Sequence, residues 1–135
     1  MSDRVFLDTN ILIYIYSQDE PHKQQRAIAC TQAPLIWIST QVLNETINVL
    51  RRKFKLDYNQ ITDVVTELTQ QFQVATVSTE TINQALGIAQ RYQFSYFDSL
   101  IVASALESRC SQLFSEDLHN NQRIYDQLTI VNPFV

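Results

Sequence analysis

The sequence predicts an α/β fold, a three-layer α/β/α sandwich with a mainly parallel central sheet. Two observations carry that prediction. Short, continuous apolar runs such as Val5-Phe6-Leu7 and Leu35-Ile36-Trp37-Ile38 are the signature of strands buried on both faces. Stretches with helical apolar spacing separate them, and parallel neighbours need crossover connections of that kind. At 135 residues, 45% apolar and 18% charged, the chain has the composition of one globular domain spanning residues 1–135.

Arg4 to Leu7 forms the first strand. Asn10 is positioned to cap a short helix through Tyr16, and Ser17 to Glu20 followed by Pro21 resembles a capping-box start for a helix to about Thr31. Pro34 ends that helix, and Leu35 to Ile38 is the second strand. Ser39 or Thr40 caps the next helix, which runs to about Phe54 and carries Glu45. Asp57 to Gln60 is a second capping box, opening a helix with Ile61, Val64, Val65, Leu68 and Phe72 on one face. Val74 to Val77 is a short strand. Ser78 or Thr79 opens a helix facing inward with Ile82, Leu86 and Ala89, and Ser95 opens another, apolar on most sides, that reaches Arg109. Gln112 to Phe114 is a strand, Ser115 to Asn121 a polar loop, and Leu128 to Val131 the last strand.

Four acids stand out on this frame. Asp8 and Asp117 follow apolar runs, at the carboxyl ends of strands where open α/β sheets gather ligands. Glu45 and Asp98 lie on helices beside apolar residues. Each acid also has an ordinary explanation. Asp8 suits a turn, Glu45 a solvated helix edge, Asp98 a capping box and Asp117 a polar loop. As a set, they are the all-oxygen donors that Mg²⁺ or Mn²⁺ prefers, and four crowded carboxylates repel one another unless protons or a cation join them.

Composition narrows the chemistry further. The net charge of −4 argues against a phosphate-rich partner, but setting aside the four acids leaves ten acids against ten bases. Four of the bases are Arg51, Arg52, Lys53 and Lys55, a cluster that either contacts nucleic-acid phosphates or simply complements the end of the Glu45 helix. Gly87 is the single glycine, so phosphate-cradling glycine loops are absent. Cys30 and Cys110 share no ligand spacing with His22 or His119 and are expected to be buried thiols. No apolar stretch is long enough for a membrane span and no leader pattern opens the chain, which predicts a cytoplasmic protein. Ile11 to Tyr16 carry more apolar surface than one helix face needs, consistent with either a subunit contact or core.

Taken together, Val5-Phe-Leu-Asp8-Thr-Asn10, Glu45 after a strand and Ser39, Tyr96-Phe-Asp98-Ser-Leu-Ile-Val-Ala, Leu113-Phe-Ser115-Glu-Asp117 and the ending Val131-Asn-Pro-Phe134 resemble the PIN domains. The likeness is greatest to the VapC-type toxins of bacterial toxin–antitoxin pairs. The resemblance implies a Mg²⁺- or Mn²⁺-dependent endoribonuclease with Asp8, Glu45, Asp98 and Asp117 as metal ligands, and Asn10 and Ser115 orienting them by hydrogen bonds. It also implies an RNA substrate, a small antitoxin and a homodimer. A PIN nuclease of RNA maturation and a non-catalytic, metal-dependent RNA-binding module are the competing readings. Glu116 has no assigned role.

Overall fold

The computed structural model describes residues 4–135. Its elements in chain order are β1 (Arg4–Leu7), α1 (Thr9–Tyr16), α2 (Pro21–Cys30), β2 (Leu35–Ser39), α3 (Thr40–Arg52), α4 (Tyr58–Gln71), β3 (Gln73–Ala75), α5 (Thr79–Tyr92), α6 (Tyr96–Glu107), β4 (Gln112–Phe114), β5 (Arg123–Ile124) and β6 (Leu128–Val131). The strands form one sheet in the order β3-β2-β1-β4-β6-β5. All pairings are parallel except that of β5 with β6. Helices cover the sheet to give the α/β/α layering that the alternating pattern predicts.

The sheet is built around β1. Phe6 pairs in register with Trp37 on one side and Leu113 on the other, and Phe6, Leu7, Ile38, Leu113 and Ile130 have no solvent exposure. Burial on both faces explains why these strands are continuous apolar runs. Helix α6 is the most interior helix, with every residue from Ser99 to Ala105 buried. Helix α5 packs closely against it. Among the described residues no helix is long and apolar enough to cross a membrane. Cys30 and Cys110 are buried free thiols, pushed up to about 11 and about 12 by burial.

Several local expectations need correction. Asp8, not Asn10, caps α1, because the chain turns directly out of β1 and the Asp8 carboxylate accepts from the Thr9 amide. The Ser17 to Glu20 box is not made: Ser17 closes α1, and Glu20 precedes α2 without a side-chain capping bond. The fixed φ of Pro21 starts that helix instead. Strand β3 runs over Gln73–Ala75 rather than to Val77, and the two-residue β5 was not anticipated. In α5 the buried stripe is Thr81, Ala85 and Ile88, while Ile82 and Leu86 are exposed. Packing against α6 favours the small Ala85 over the bulkier Leu86 at the contact. Ile11, Leu12 and Ile13 are buried within this chain and are not spare surface for another.

The Asp57 capping box forms in full, and Ser39, Ser78 and Ser95 each cap the helix that follows. With one glycine in the sequence, left-handed positions after helices fall to other residues: Lys55, Gln93 and Arg109 all have φ near +60°. Each such non-glycine residue costs ~1–2 kcal/mol.

Candidate functional site

The parallel strands β1 and β4 end side by side, and their ends are tied together. The Asp8 amide donates to the Phe114 carbonyl at 3.0 Å. One residue further, the Ser115 hydroxyl donates to Asp8 Oδ2 at 2.8 Å and accepts from the Asp117 amide at 3.3 Å. Ser115 has no solvent exposure, so this hydroxyl links the turn after β1 to the loop after β4 from inside the protein. Asn10, in the first turn of α1, donates from Nδ2 to Asp117 Oδ2 at 2.9 Å. Both residues expected to orient carboxylates therefore hydrogen-bond to one.

Two helices deliver the other acids. Ser39 caps α3 by accepting from the Val42 amide, and Glu45 follows on the same helix. The Thr9 hydroxyl donates to Glu45 Oε1 at 2.5 Å, and Gln41 Nε2 donates to Glu45 Oε2 at 3.1 Å. Ser95 caps α6 by accepting from the Asp98 amide at 3.2 Å. The reciprocal half of a capping box is not made there, and the Asp98 carboxylate lines the cavity instead.

All four acids line one cavity of about 320 Å³, together with Thr9, Asn10, Asn48, Val49, Phe97 and Ile101. No Lys, Arg or His is among the described residues lining it. The electrostatic consequence falls on Asp8, which is 6% exposed. Burial pushes its carboxyl up to about 6; hydrogen bonds from Ser115 and Thr9 pull the other way, and the charges of Asp117 and Asp98 add to the rise. Asp117 is also raised, first by burial and then by Asp98, Glu116 and Glu45. Carboxylates that lift one another's pKa in this way are poised to accept a cation.

Among the described residues no three acidic, histidine or cysteine side chains are drawn together into a ready grip on one ion. The acids line the cavity, Asp8, Glu45 and Asp117 each held by hydrogen bonds to the carboxylate, rather than closing into a cage. That arrangement fits magnesium, which keeps several waters and takes only one or two carboxylates directly. It does not fit zinc, whose structural sites are tight tetrahedra of nitrogen and sulfur. The donor set is all oxygen, so the residues suit a hard divalent ion held partly through water.

Other candidates sit outside the cavity. Glu116 turns away from it and accepts from Lys23 Nζ at 2.7 Å and Tyr14 Oη at 2.6 Å. Burial would raise its carboxyl, but those two hydrogen bonds outweigh burial and bring it below the usual range. Lys23 also lies 4.8 Å above the Tyr14 ring, whose edge meets Phe134. Glu116 thus braces the loop against α1, α2 and the C-terminal Asn132-Pro133-Phe134 segment. His22 and His119 are exposed.

The basic cluster is divided. Arg52 and Lys53 line a second depression that shares Asn48 and Val49 with the acidic cavity. Arg51 instead donates to the Leu56 carbonyl and lies 4.6 Å over the Tyr58 ring, while Lys55 occupies the left-handed turn after α3. Thr9 and Gln41 were not singled out in the sequence. Only the i, i+4 spacing of Gln41 and Glu45 on one helix face offered a signal for the latter.

A family model described as PIN domain matches residues 5–124. No curated protein sequence matches the chain. Among solved structures, a toxin–antitoxin complex from Klebsiella pneumoniae aligns with a TM-score of 0.73 and 21% identity, covering 96% of this chain and 97% of that one. The sarcin–ricin-loop-cleaving toxin VapC20 of Mycobacterium tuberculosis aligns at 0.68 and 18%, covering 84% and 91%. VapBC2 of Rickettsia felis, bound to a fragment of promoter DNA, aligns at 0.65 and 18%, covering 96% and 99%. At these identities the solved structures establish a shared fold.

Proposed function

The chain belongs to the PIN domain family, and from that premise we propose that it is a Mg²⁺- or Mn²⁺-dependent endoribonuclease, the toxin of a VapBC-type pair. The observation that carries the reading is the convergence of Asp8, Glu45, Asp98 and Asp117 on one cavity with no basic residue among the described residues lining it. Relatives of the same fold from Klebsiella and Rickettsia were solved as toxin and antitoxin together, which favours the toxin over a nuclease of RNA maturation.

A bound divalent ion supplies charge neutralisation at the phosphoryl group and acidifies water at neutral pH. Asp8, whose carboxylate accepts from the Ser115 hydroxyl, and Asp117, whose amide donates to it, would hold the ion. Glu45 is held at both oxygens by Thr9 and Gln41, so it meets the substrate side in a fixed orientation. Asp98 enters from the first turn of α6. Hydrolysis by water needs no protein nucleophile; with water adding to phosphorus and the P–O3′ bond breaking, as the family membership implies, it leaves 5′-phosphate and 3′-hydroxyl ends. An antitoxin that masks the acidic cavity, a homodimer and a cytoplasmic location complete the proposal.

The test is cleavage of RNA by the wild-type protein, Asp8→Asn and Asp98→Asn with Mg²⁺, Mn²⁺ or EDTA. Metal-dependent cleavage lost in both variants is the expected result. Equal cleavage by all three proteins refutes the site, and no cleavage of total cellular RNA by the wild type refutes the ribonuclease reading.

A further inference from the structure

The mouth of the acidic cavity carries a feature that metal binding does not use. Phe97, directly before Asp98, lines the cavity yet its residue is 63% exposed. Single exposed apolar residues are common on protein surfaces, but this one is held in place. Its carbonyl accepts from Gln41 Nε2 at 3.1 Å, and the same nitrogen donates to Glu45 Oε2. Its ring meets Tyr96 at an edge-on angle of 68°, with centroids 5.3 Å apart. One amide therefore fixes the backbone of the exposed ring relative to the carboxylate of Glu45.

A basic depression adjoins the cavity. Asn48 and Val49 form the divide between the acidic cavity and the depression lined by Arg52 and Lys53. Seven residues of helix separate Glu45 from Arg52, a distance of ~10 Å along the axis. An aromatic face, four carboxylates and a basic shelf thus belong to two adjoining depressions.

Resting on the nuclease reading, we propose that Phe97 is a stacking platform for an unpaired base next to the scissile phosphate, with Arg52 and Lys53 holding the backbone beyond it. A phenyl ring has no hydrogen-bonding edge, so it reads the face of a base. In a duplex that face is covered by its neighbours, whereas in a loop or single strand it is free. Phe97 selects an unpaired nucleotide beside the cut with little preference for its identity.

The test begins by mapping the cut in a mixed-sequence RNA and building it into a short single-stranded oligonucleotide. The intact oligonucleotide, its duplex and versions with one base removed at successive positions are then compared using wild-type protein, Phe97→Ala and Phe97→Trp. Stacking on one base is expected to contribute roughly tenfold to kcat/KM. Phe97→Ala loses that factor on intact RNA and Phe97→Trp retains activity. Wild-type protein loses the same factor when one particular base beside the cut is missing. Phe97→Ala is indifferent to that missing base, because the ring and the base act as one contact. Losses that multiply, efficient cutting of the duplex, or full activity of Phe97→Ala on intact RNA overturn the proposal while leaving the nuclease reading intact; the last outcome assigns the ring to a protein partner. Wild-type protein that cuts no RNA overturns both. Because Phe97 is exposed in a first helical turn, its replacement by Ala leaves the fold in place, which circular dichroism verifies.

Discussion

Replacing Asp8 by Asn should make the metal-free protein more stable, although it removes a candidate ligand. In the fold, burial pushes the Asp8 carboxyl from its ordinary 3.8 up to about 6. At ~1.4 kcal/mol per pH unit, the ionised group costs the native state ~3 kcal/mol relative to its protonated form. Asn is neutral but has only one acceptor oxygen. It cannot accept from both the Thr9 amide and the Ser115 hydroxyl, as Asp8 does, and losing one of those bonds costs ~1 kcal/mol. The net expectation is a gain of ~2 kcal/mol for Asp8→Asn in EDTA at about pH 7.5. The sign follows from an acid whose folded-state pKa is raised. Its penalty is absent below 3.8, grows between 3.8 and about 6, and is complete above that. The advantage of Asn should therefore shrink as pH falls through this window and reverse between about pH 4 and 5; well below 3.8 the lost hydrogen bond is all that remains. Urea unfolding followed by the fluorescence of Trp37, the single tryptophan, measures it. Magnesium at a hundred times its Kd should add ~2.7 kcal/mol to the wild type and much less to the variant. A variant less stable than wild type in EDTA at neutral pH, or a difference flat with pH, would refute the reasoning about burial. Equal stabilisation of both proteins by magnesium would refute the ligand role.

Ser115→Ala removes a buried hydroxyl serving both Asp8 and Asp117, so it should cost ~1–3 kcal/mol in urea unfolding and weaken magnesium binding ~10–100-fold. Lost stability with unchanged magnesium affinity would limit Ser115 to a structural part. Charge reversal of Arg52 and Lys53 together should weaken RNA binding and flatten its salt dependence by ~0.7 per lost phosphate contact, with magnesium binding retained. An unchanged slope in a salt titration would remove these residues from the RNA path. Gly87→Ala, in an open position on α5 where an added methyl meets nothing within 4 Å, should stabilise the protein by ~0.5–1 kcal/mol as read by thermal unfolding.

Phe97 was visible in the sequence only as an aromatic residue in a helical segment, a type that is more often core. Its place at the cavity mouth depends on how α6 is rotated, and no periodicity could supply that rotation because nearly every residue of the helix is apolar or small. The same weakness explains α5: Ile82 and Leu86 are spaced as well as Ala85 and Ile88, and close packing against α6 chose the smaller pair. Glu116 shows the reverse case, an acid beside Asp117 that sequence alone could not separate from the site, drawn off by Lys23 and Tyr14 from distant segments.

Local chemistry was enough to determine that strands and helices alternate, that a hydroxyl residue starts a helix at Ser39 or Thr40, at Ser78 or Thr79 and at Ser95, and that acids stand after two buried strands. Those features depend on neighbours a few residues away, and backbone hydrogen bonding and solvent exclusion act on them directly. The tertiary structure alone decided that Ser115 joins Asp8 to Asp117, that Thr9 and Gln41 hold Glu45, and that the basic cluster divides with Arg52 and Lys53 beside the cavity. Each depends on which strands lie side by side and how each helix is turned, and these are settled by packing the whole core at once.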